Sequence, residues 1–402
     1  MNNQIGELLP PNRLMLTPGP SSVDPRVYRA MAATIVGHLD PWFHNMMGEV
    51  QDLLRQVFRT QNRVTFPISA SGSGGIEATV VNPLEPGDEA IICVNGSFSE
   101  RMAIIAERTA AKITRVEAPY GKPVDPNDVR RAAKGKKIKM LGVTHGESST
   151  GVAHDLAAFR QVADELDTLL VVDMVSTLAG MPIDVDKLRL DIAFSGSQKA
   201  LSAPPGLAPI TVSPKMEAVL KARKTPVQSW YFDLTHAMIY WGKERTYHHT
   251  APISLNYALR EALRIVLEEG LEARWERHRQ NHLALIAGLE AMGIEMFVSN
   301  PADRMITVNA IKAPEGIDDA KVRKQLLEEF NIEIGGGFGP LKGKLMRVGL
   351  MGHTSERRNA LLFLGAFEKV LTDHGFRCAP GAGVSAAVRY YTQAATAAVG
   401  SR

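Results

Sequence analysis

The sequence predicts an α/β fold: a mostly parallel seven-stranded sheet sandwiched by helices, with a smaller C-terminal α+β domain. Three observations carry this expectation. From about Val64 onward, short apolar runs alternate with helical periodicity, the pattern of a parallel sheet covered on both faces. Beyond about residue 255 the pattern changes to long helices with charged faces beside two or three strands, which suits an α+β unit. At 402 residues the chain is also too long for one small core.

The elements follow in order. Residues 1–20, through Leu-Thr-Pro-Gly-Pro, read as an extended arm, because Pro and Gly oppose regular structure. Strands are expected at Val64–Ser69, Ala90–Val94, Lys112–Val116, Lys139–Val143, Leu169–Asp173, Ile192–Ser195 and Ala208–Val212. Gly74–Leu84, Glu100–Ala110 and Leu156–Leu166 carry apolar residues at helical spacing between them. These place a large domain over 21–255 and a small one over 256–402. The small domain is expected to hold long helices at Ile253–Glu269 (beginning at the boundary) and Leu271–Met292, and strands at Met305–Val308, Ile332–Ile334 and Leu345–Val348. Further helices are expected at Asp319–Phe330 and, last, Ser355–His374; a small-residue tail lies near Ala394–Gly400.

Composition excludes several classes. A formal charge of +3, from 46 basic and 43 acidic residues, gives no reason to expect nucleic acid or a membrane surface as partner. No window approaches ~20 uninterrupted apolar residues. Two cysteines, Cys93 and Cys378, are too few for a disulfide framework or metal cluster. The first residues lack the basic and apolar regions of a secretory signal, and Val-Gly-Ser-Arg at the end is not a peroxisomal tripeptide. The expected location is the cytoplasm.

Ser195-Gly-Ser-Gln-Lys199 is the sharpest local feature. A strand ends in a small-residue turn that presents one lysine, and no other charge lies between Asp191 and Lys215. Such a residue is either a solvated turn lysine or a Schiff-base amine, since burial lowers its pKa and frees it to attack a carbonyl. Asp173 ends another apolar strand 26 residues earlier. It is an N-cap or, beside Lys199, the partner of a pyridinium nitrogen. In open α/β sheets, ligands collect at the carboxyl ends of strands, where both residues fall. Pyridoxal phosphate needs both anchors: a lysine for its aldehyde and a carboxylate for its ring nitrogen.

Ser69-Ala-Ser-Gly-Ser-Gly-Gly75 follows a strand and opens a helix, so its backbone N–H groups and the helix dipole favour an anion. It matches neither a Walker loop nor Gly-x-Gly-x-x-Gly. Thr144-His-Gly-Glu-Ser-Ser-Thr-Gly151 ends a third strand, as an ordinary polar loop or as the source of a hydroxyl for cofactor or substrate. His145 there is a second acid/base candidate, ranked behind Lys199. Arg347, inside an apolar strand, requires a partner, either a structural carboxylate or a substrate carboxylate. His248 and His249 lack a third ligand, so no metal is expected.

With Thr17-Pro-Gly-Pro20, Leu84-Glu-Pro-Gly-Asp88, Tyr247-His-His-Thr250, Gly337-Phe-Gly-Pro340 and Arg347-Val-Gly-Leu350, these motifs resemble the class V, fold-type I pyridoxal-phosphate aminotransferases. The resemblance is specifically to the alanine–glyoxylate and serine–glyoxylate group, and it runs from about Leu14 to Val370. The resemblance implies that Lys199 forms the Schiff base and shuttles protons, while Asp173 pairs with the ring nitrogen. It implies that Ser71, Gly72, Ser73 and Gln198 hold the phosphate, with Tyr247 and Thr250 reaching the phosphate of a partner subunit. Phe98 takes the ring-stacking position, where many relatives carry a larger aromatic. Ser148 lies near the ring oxygen and substrate, Arg347 takes the substrate carboxylate, and Gly19 closes the pocket. A homodimer with shared sites is implied.

The expected reaction moves an amino group from a small L-amino acid, alanine or serine, to glyoxylate by a ping-pong route, giving glycine. No second cation is evident to read a side-chain carboxylate. The first residues also resemble the (S)-ureidoglycine–glyoxylate aminotransferases of purine breakdown, which leaves that donor open. A cofactor-dependent desulfurase needs a mobile nucleophilic cysteine, which neither Cys93 nor Cys378 suits. A non-catalytic binding protein does not need the Lys199/Asp173/Arg347 set.

Overall fold

The computed structural model describes residues 6–400, with side chains to 396. The readings of the chain ends fall partly on residues outside that range. The large sheet has seven strands, in spatial order Val64–Ile68, Ala208–Val212, Ile192–Phe194, Leu169–Asp173, Ile138–Thr144, Glu89–Val94 and Lys112–Glu117. Ala208–Val212 is antiparallel to both its neighbours, and the other pairs are parallel. Leu169–Asp173 and Ala208–Val212 are buried along their whole length, as strands covered on both faces must be. Every strand expected in this half is present, within a residue or two at each end.

Helices that the sequence reading passed over complete the covering layers: Pro25–Met31, Pro41–Phe58, Pro126–Ala133, Pro214–Ala222 and Leu234–Trp241. Three of them begin Asp-Pro. Asp24, Asp40 and Asp125 each accept the N–H two residues on, with proline in the first turn, a strong start signal.

Helix Ile253–Glu269, expected at the domain boundary, sends Leu259, Leu263 and Val266 into the core of the large sheet. A second core starts at Ala284 on the next helix and includes Val348, Phe363 and Phe367. Its sheet has the order Leu14–Leu16, Ile332–Gly336, Leu345–Gly349, Val308–Lys312. The arm is therefore not wholly extended coil: Leu14–Leu16 pairs in parallel with Ile332–Ile334 and buries Leu16. The strand expected at Met305–Val308 lies instead at Val308–Lys312.

Arg357–Asp373 is not the last helix. Ala382–Gly400 packs along Leu271–Ala291, burying Ala387 and Tyr391, and the Tyr391 hydroxyl donates to Asn281 Oδ1 at 2.7 Å. Its small residues let the two backbones approach closely.

Candidate active site

At the carboxyl ends of the large sheet's strands lies a cavity of about 280 Å³ lined by Lys199, Asp173, Ser71–Ser73, Phe98, Ser148 and Gln198, among others. The turn after Ile192–Phe194 is rigid. Ser197 donates its hydroxyl to the Pro204 carbonyl at 2.6 Å, and its N–H donates to the Leu207 carbonyl at 2.9 Å. The Lys199 carbonyl accepts the Ser21 hydroxyl at 2.7 Å, and Lys199 Nζ donates to the Pro18 carbonyl at 2.5 Å. Lys199 is 8% exposed. Burial, helped by the positive charge of Arg347 and opposed by Asp173, pushes its amine down to about 8. Asp173 is buried as well, and burial pushes its carboxyl up to about 7, although the Val175 N–H donates to it at 2.8 Å. A buried amine with an accessible neutral form and a buried carboxylate short of partners thus line one cavity.

The opposite end has the uncommitted donors that an anion needs. Ser71 caps helix Gly72–Val81 by position but makes no side-chain capping bond, so its hydroxyl and the first helical N–H groups remain uncommitted. A Cβ on Gly72 would stand 3.3 Å from Val175 Cγ2. The Gln198 side-chain oxygen is buried without a partner among the described residues. The Ser73 hydroxyl accepts from Arg101 Nη1 at 2.7 Å.

Arg347 reaches this region from the small domain. Its Nε donates to the Gly336 carbonyl at 2.8 Å and its Nη1 to the Ser148 carbonyl at 2.9 Å, with the guanidinium 4.2 Å from the centre of the Phe338 ring. No carboxylate pairs with it among the described residues, so the structural salt bridge weighed from sequence is absent there. Gly19, at φ +108°, lies against Lys199: a Cβ there would sit 2.5 Å from Nζ. Only glycine allows the arm to pass that close.

Other expected residues fall elsewhere. His145, ranked behind Lys199 from sequence, is buried at the edge of a separate cavity shared with His154, and its Nδ1 hydrogen-bonds the Thr177 hydroxyl at 2.9 Å. Burial pushes its imidazole down to about 3, so it stays neutral. Tyr247 and Thr250 are exposed and do not line the cavity of their own chain. Cys93 is buried in strand Glu89–Val94, where burial raises its thiol, and Cys378 is outside the cavity.

Three residues were missed from sequence. Glu147, fully buried, accepts the N–H groups of Phe98 and Ser99 at 3.1 and 2.9 Å, and the hydroxyls of Ser99 and Ser149 at 2.9 and 2.6 Å. It holds the start of the helix that carries Phe98. Arg274, buried, donates Nη2 to the Ala200 carbonyl at 2.7 Å and Nη1 to Glu269 at 2.6 Å, bracing the turn behind Lys199. Arg101 also lines the cavity, a second cation that was not evident from sequence.

Fold and site together are those of an enzyme, with a buried lysine and a buried carboxylate facing one cavity at the strand ends. The aminotransferase class-V family model matches residues 26–351. The chain is 40% identical over 406 residues to the (S)-ureidoglycine–glyoxylate transaminase of Bacillus subtilis (strain 168), covering 96% of this chain and 97% of that protein. It is 38% identical over 364 residues to the alanine–glyoxylate aminotransferase of Callithrix jacchus, covering 90% and 88%. The crystal structure of ureidoglycine–glyoxylate aminotransferase from Bacillus subtilis superposes with a TM-score of 0.94 at 42% identity, over 96% of this chain and all of that one. The chain belongs to the class-V aminotransferases and is an aminotransferase. Among the described residues no helix is long and apolar enough to cross a membrane.

Proposed function

We propose that this aminotransferase uses pyridoxal 5′-phosphate to move an amino group from a small L-amino acid, alanine or serine, to glyoxylate, giving glycine. The observation that carries this is the single cavity that joins Lys199, Asp173 and the uncapped Ser71–Ser73 turn. Its ends match the cofactor's aldehyde, ring nitrogen and phosphate. When bound, the cofactor supplies a carbonyl for the amino group and a ring that accepts the electron pair released at Cα. Lys199 Nζ is the base that takes and returns the proton at the substrate Cα. Asp173 would keep the ring nitrogen protonated. Phe98 would cover the ring and exclude water. Arg347, held by two carbonyls, binds the substrate carboxylate, and Gly19 closes the small space beside it. A desulfurase reading has no cysteine at the cavity.

A second donor, (S)-ureidoglycine, is supported by the 40% identity and near-complete coverage of the Bacillus subtilis transaminase. Glyoxylate is the acceptor in both readings.

The working unit we propose is a homodimer in the cytoplasm. Tyr247 and Thr250 point to this, because they are exposed on their own chain and suit the phosphate of a partner subunit. Exposed Trp42, Ile35 and Tyr28 offer apolar surface for a second copy. Both cysteines are free thiols, which suits a reducing compartment. The expected division into 1–20, 21–255 and 256–402 is proposed with its second boundary moved beyond Glu269, because Leu259, Leu263 and Val266 lie in the large sheet's core.

The test is stepwise spectroscopy of the purified protein. Alanine, serine and (S)-ureidoglycine are added separately, each followed by glyoxylate. The donor that bleaches the absorbance of the lysine-bound cofactor, with recovery on glyoxylate, is the substrate. If no donor bleaches it, the transfer reading fails.

A further inference from the structure

We propose that Arg101 is the cation that neutralises the cofactor phosphate at the Ser71–Ser73 turn. The inference rests on the pyridoxal phosphate reading above. A phosphate monoester carries close to two negative charges near neutrality, whereas Ser71, Gly72, Ser73 and Gln198 are all neutral. The helix start at Gly72 contributes the equivalent of roughly half a charge. The other cations in or near the cavity, Lys199 in its lining and Arg347 beside it, are committed elsewhere. Lys199 points its amine at the Pro18 carbonyl and is the aldehyde's partner. Arg347 is fastened to carbonyls at Gly336 and Ser148.

Arg101 sits on the helix that carries Phe98, one turn along, and it lines the same cavity. Its Nη1 donates to the Ser73 hydroxyl at 2.7 Å, and its guanidinium carbon lies 5.2 Å from the centre of the Phe98 ring. It therefore spans the ring-covering wall and the anion end. Among the described residues it pairs with no carboxylate, although the neighbouring Glu100 is taken by Arg115 at 2.7 Å. An arginine tethered by a serine hydroxyl beside an uncapped helix start is placed for charge-assisted hydrogen bonds to phosphate oxygens. Reading a dicarboxylic substrate is the competing role. The Ser73 tether favours the phosphate, because it holds the side chain at the anion end.

The test measures the affinity of the full-length protein for pyridoxal phosphate and for pyridoxal, which lacks the phosphate, in wild type, Arg101→Gln and Arg101→Lys. Arg101→Gln is expected to weaken pyridoxal phosphate by roughly 10- to 100-fold and to leave pyridoxal unchanged. Arg101→Lys should recover much of the loss. Equal weakening of both ligands would overturn the proposal, since Arg101 would then act through Phe98 or the fold. So would unchanged phosphate affinity with a raised KM for glutamate as donor. If wild type shows no lysine-bound absorbance at all, the cofactor reading itself falls, a result separable from any effect of Arg101.

Discussion

Oδ1 of Asp173 accepts the Val175 N–H at 2.8 Å, and among the described residues no other donor reaches this carboxylate. The acid is therefore held short of partners until a ligand supplies one. Its pKa of about 7 in the free chain means the folded state binds its proton more tightly than the unfolded state does. The sign follows: this group's stabilising contribution is complete below the ordinary carboxylate range and is lost as pH rises through about 7. Asp173→Asn should therefore raise the melting temperature of the cofactor-free protein at pH 8, with the gap narrowing toward pH 5. With pyridoxal phosphate the advantage should reverse, because the charged carboxylate then has its cation. Amino transfer by the variant should fall at least about 100-fold. Identical melting gaps at both pH values would show that Asp173 stores no such strain.

Lys199 gives a kinetic counterpart. With its amine near 8, the neutral fraction grows about tenfold per pH unit below that value. The rate at which cofactor-free protein captures pyridoxal phosphate should climb with the same slope and level off above pH 8. Arg347 is one cause of the lowered value. Arg347→Gln removes a positive charge, favours the protonated amine, and should move the inflection to higher pH, besides raising the KM of the amino donor. Stopped-flow absorbance across pH 6–10 reads this directly, and an inflection that stays in place would disprove the coupling.

What the sequence made legible divides along the distance over which the signal acts. Lys199, Asp173 and the Ser71–Ser73 turn were visible because each ends or follows an apolar strand, and strand ends in such sheets converge on ligands. Glu147 was in view but unread, because the backbone groups it holds belong to Phe98 and Ser99, about fifty residues earlier. Arg101 looked like one more charge on a helix, since its tether to Ser73 crosses between helices. Arg274 lay in a run of charges typical of a solvated face, and only the packing of its helix buries it against Ala200. His145 went the other way: its position in the motif suggested chemistry, but the loop turns its ring toward Thr177. The Asp-Pro helix starts were a local signal left unused.

Glu147 should act as a positioning residue. Its carboxylate meets three N–H groups and two hydroxyls with no water-facing surface, so Glu147→Ala leaves buried donors unmatched, at roughly 2–3 kcal/mol. Glu147→Gln keeps the shape but loses the charge that favours a helix start. The isosteric variant should lose less stability than the alanine one. It should also shift the absorbance maximum of the bound cofactor, because Phe98 rides on the helix that Glu147 fixes. A variant that melts lower with an unchanged spectrum would reduce Glu147 to a structural brace.

The last helix can be tested apart from the chemistry. Gly288, on Leu271–Ala291, faces Gly383 on Ala382–Gly400, and a Cβ at 288 would stand 2.8 Å from the Gly383 carbonyl oxygen and 2.5 Å from Leu364 Cδ1. Leu364 can shift as a side chain, but the carbonyl belongs to backbone, so Gly288→Ala must push the helices apart. Overpacking of this kind costs about 1–3 kcal/mol, more than alanine's better helix propensity returns. Gly288→Ala should therefore lower the melting temperature while leaving the KM for glyoxylate unchanged, since neither glycine lines the active-site cavity. If the helix were only loosely laid against its neighbour, alanine would stabilise it, and a rise in melting temperature would be the result.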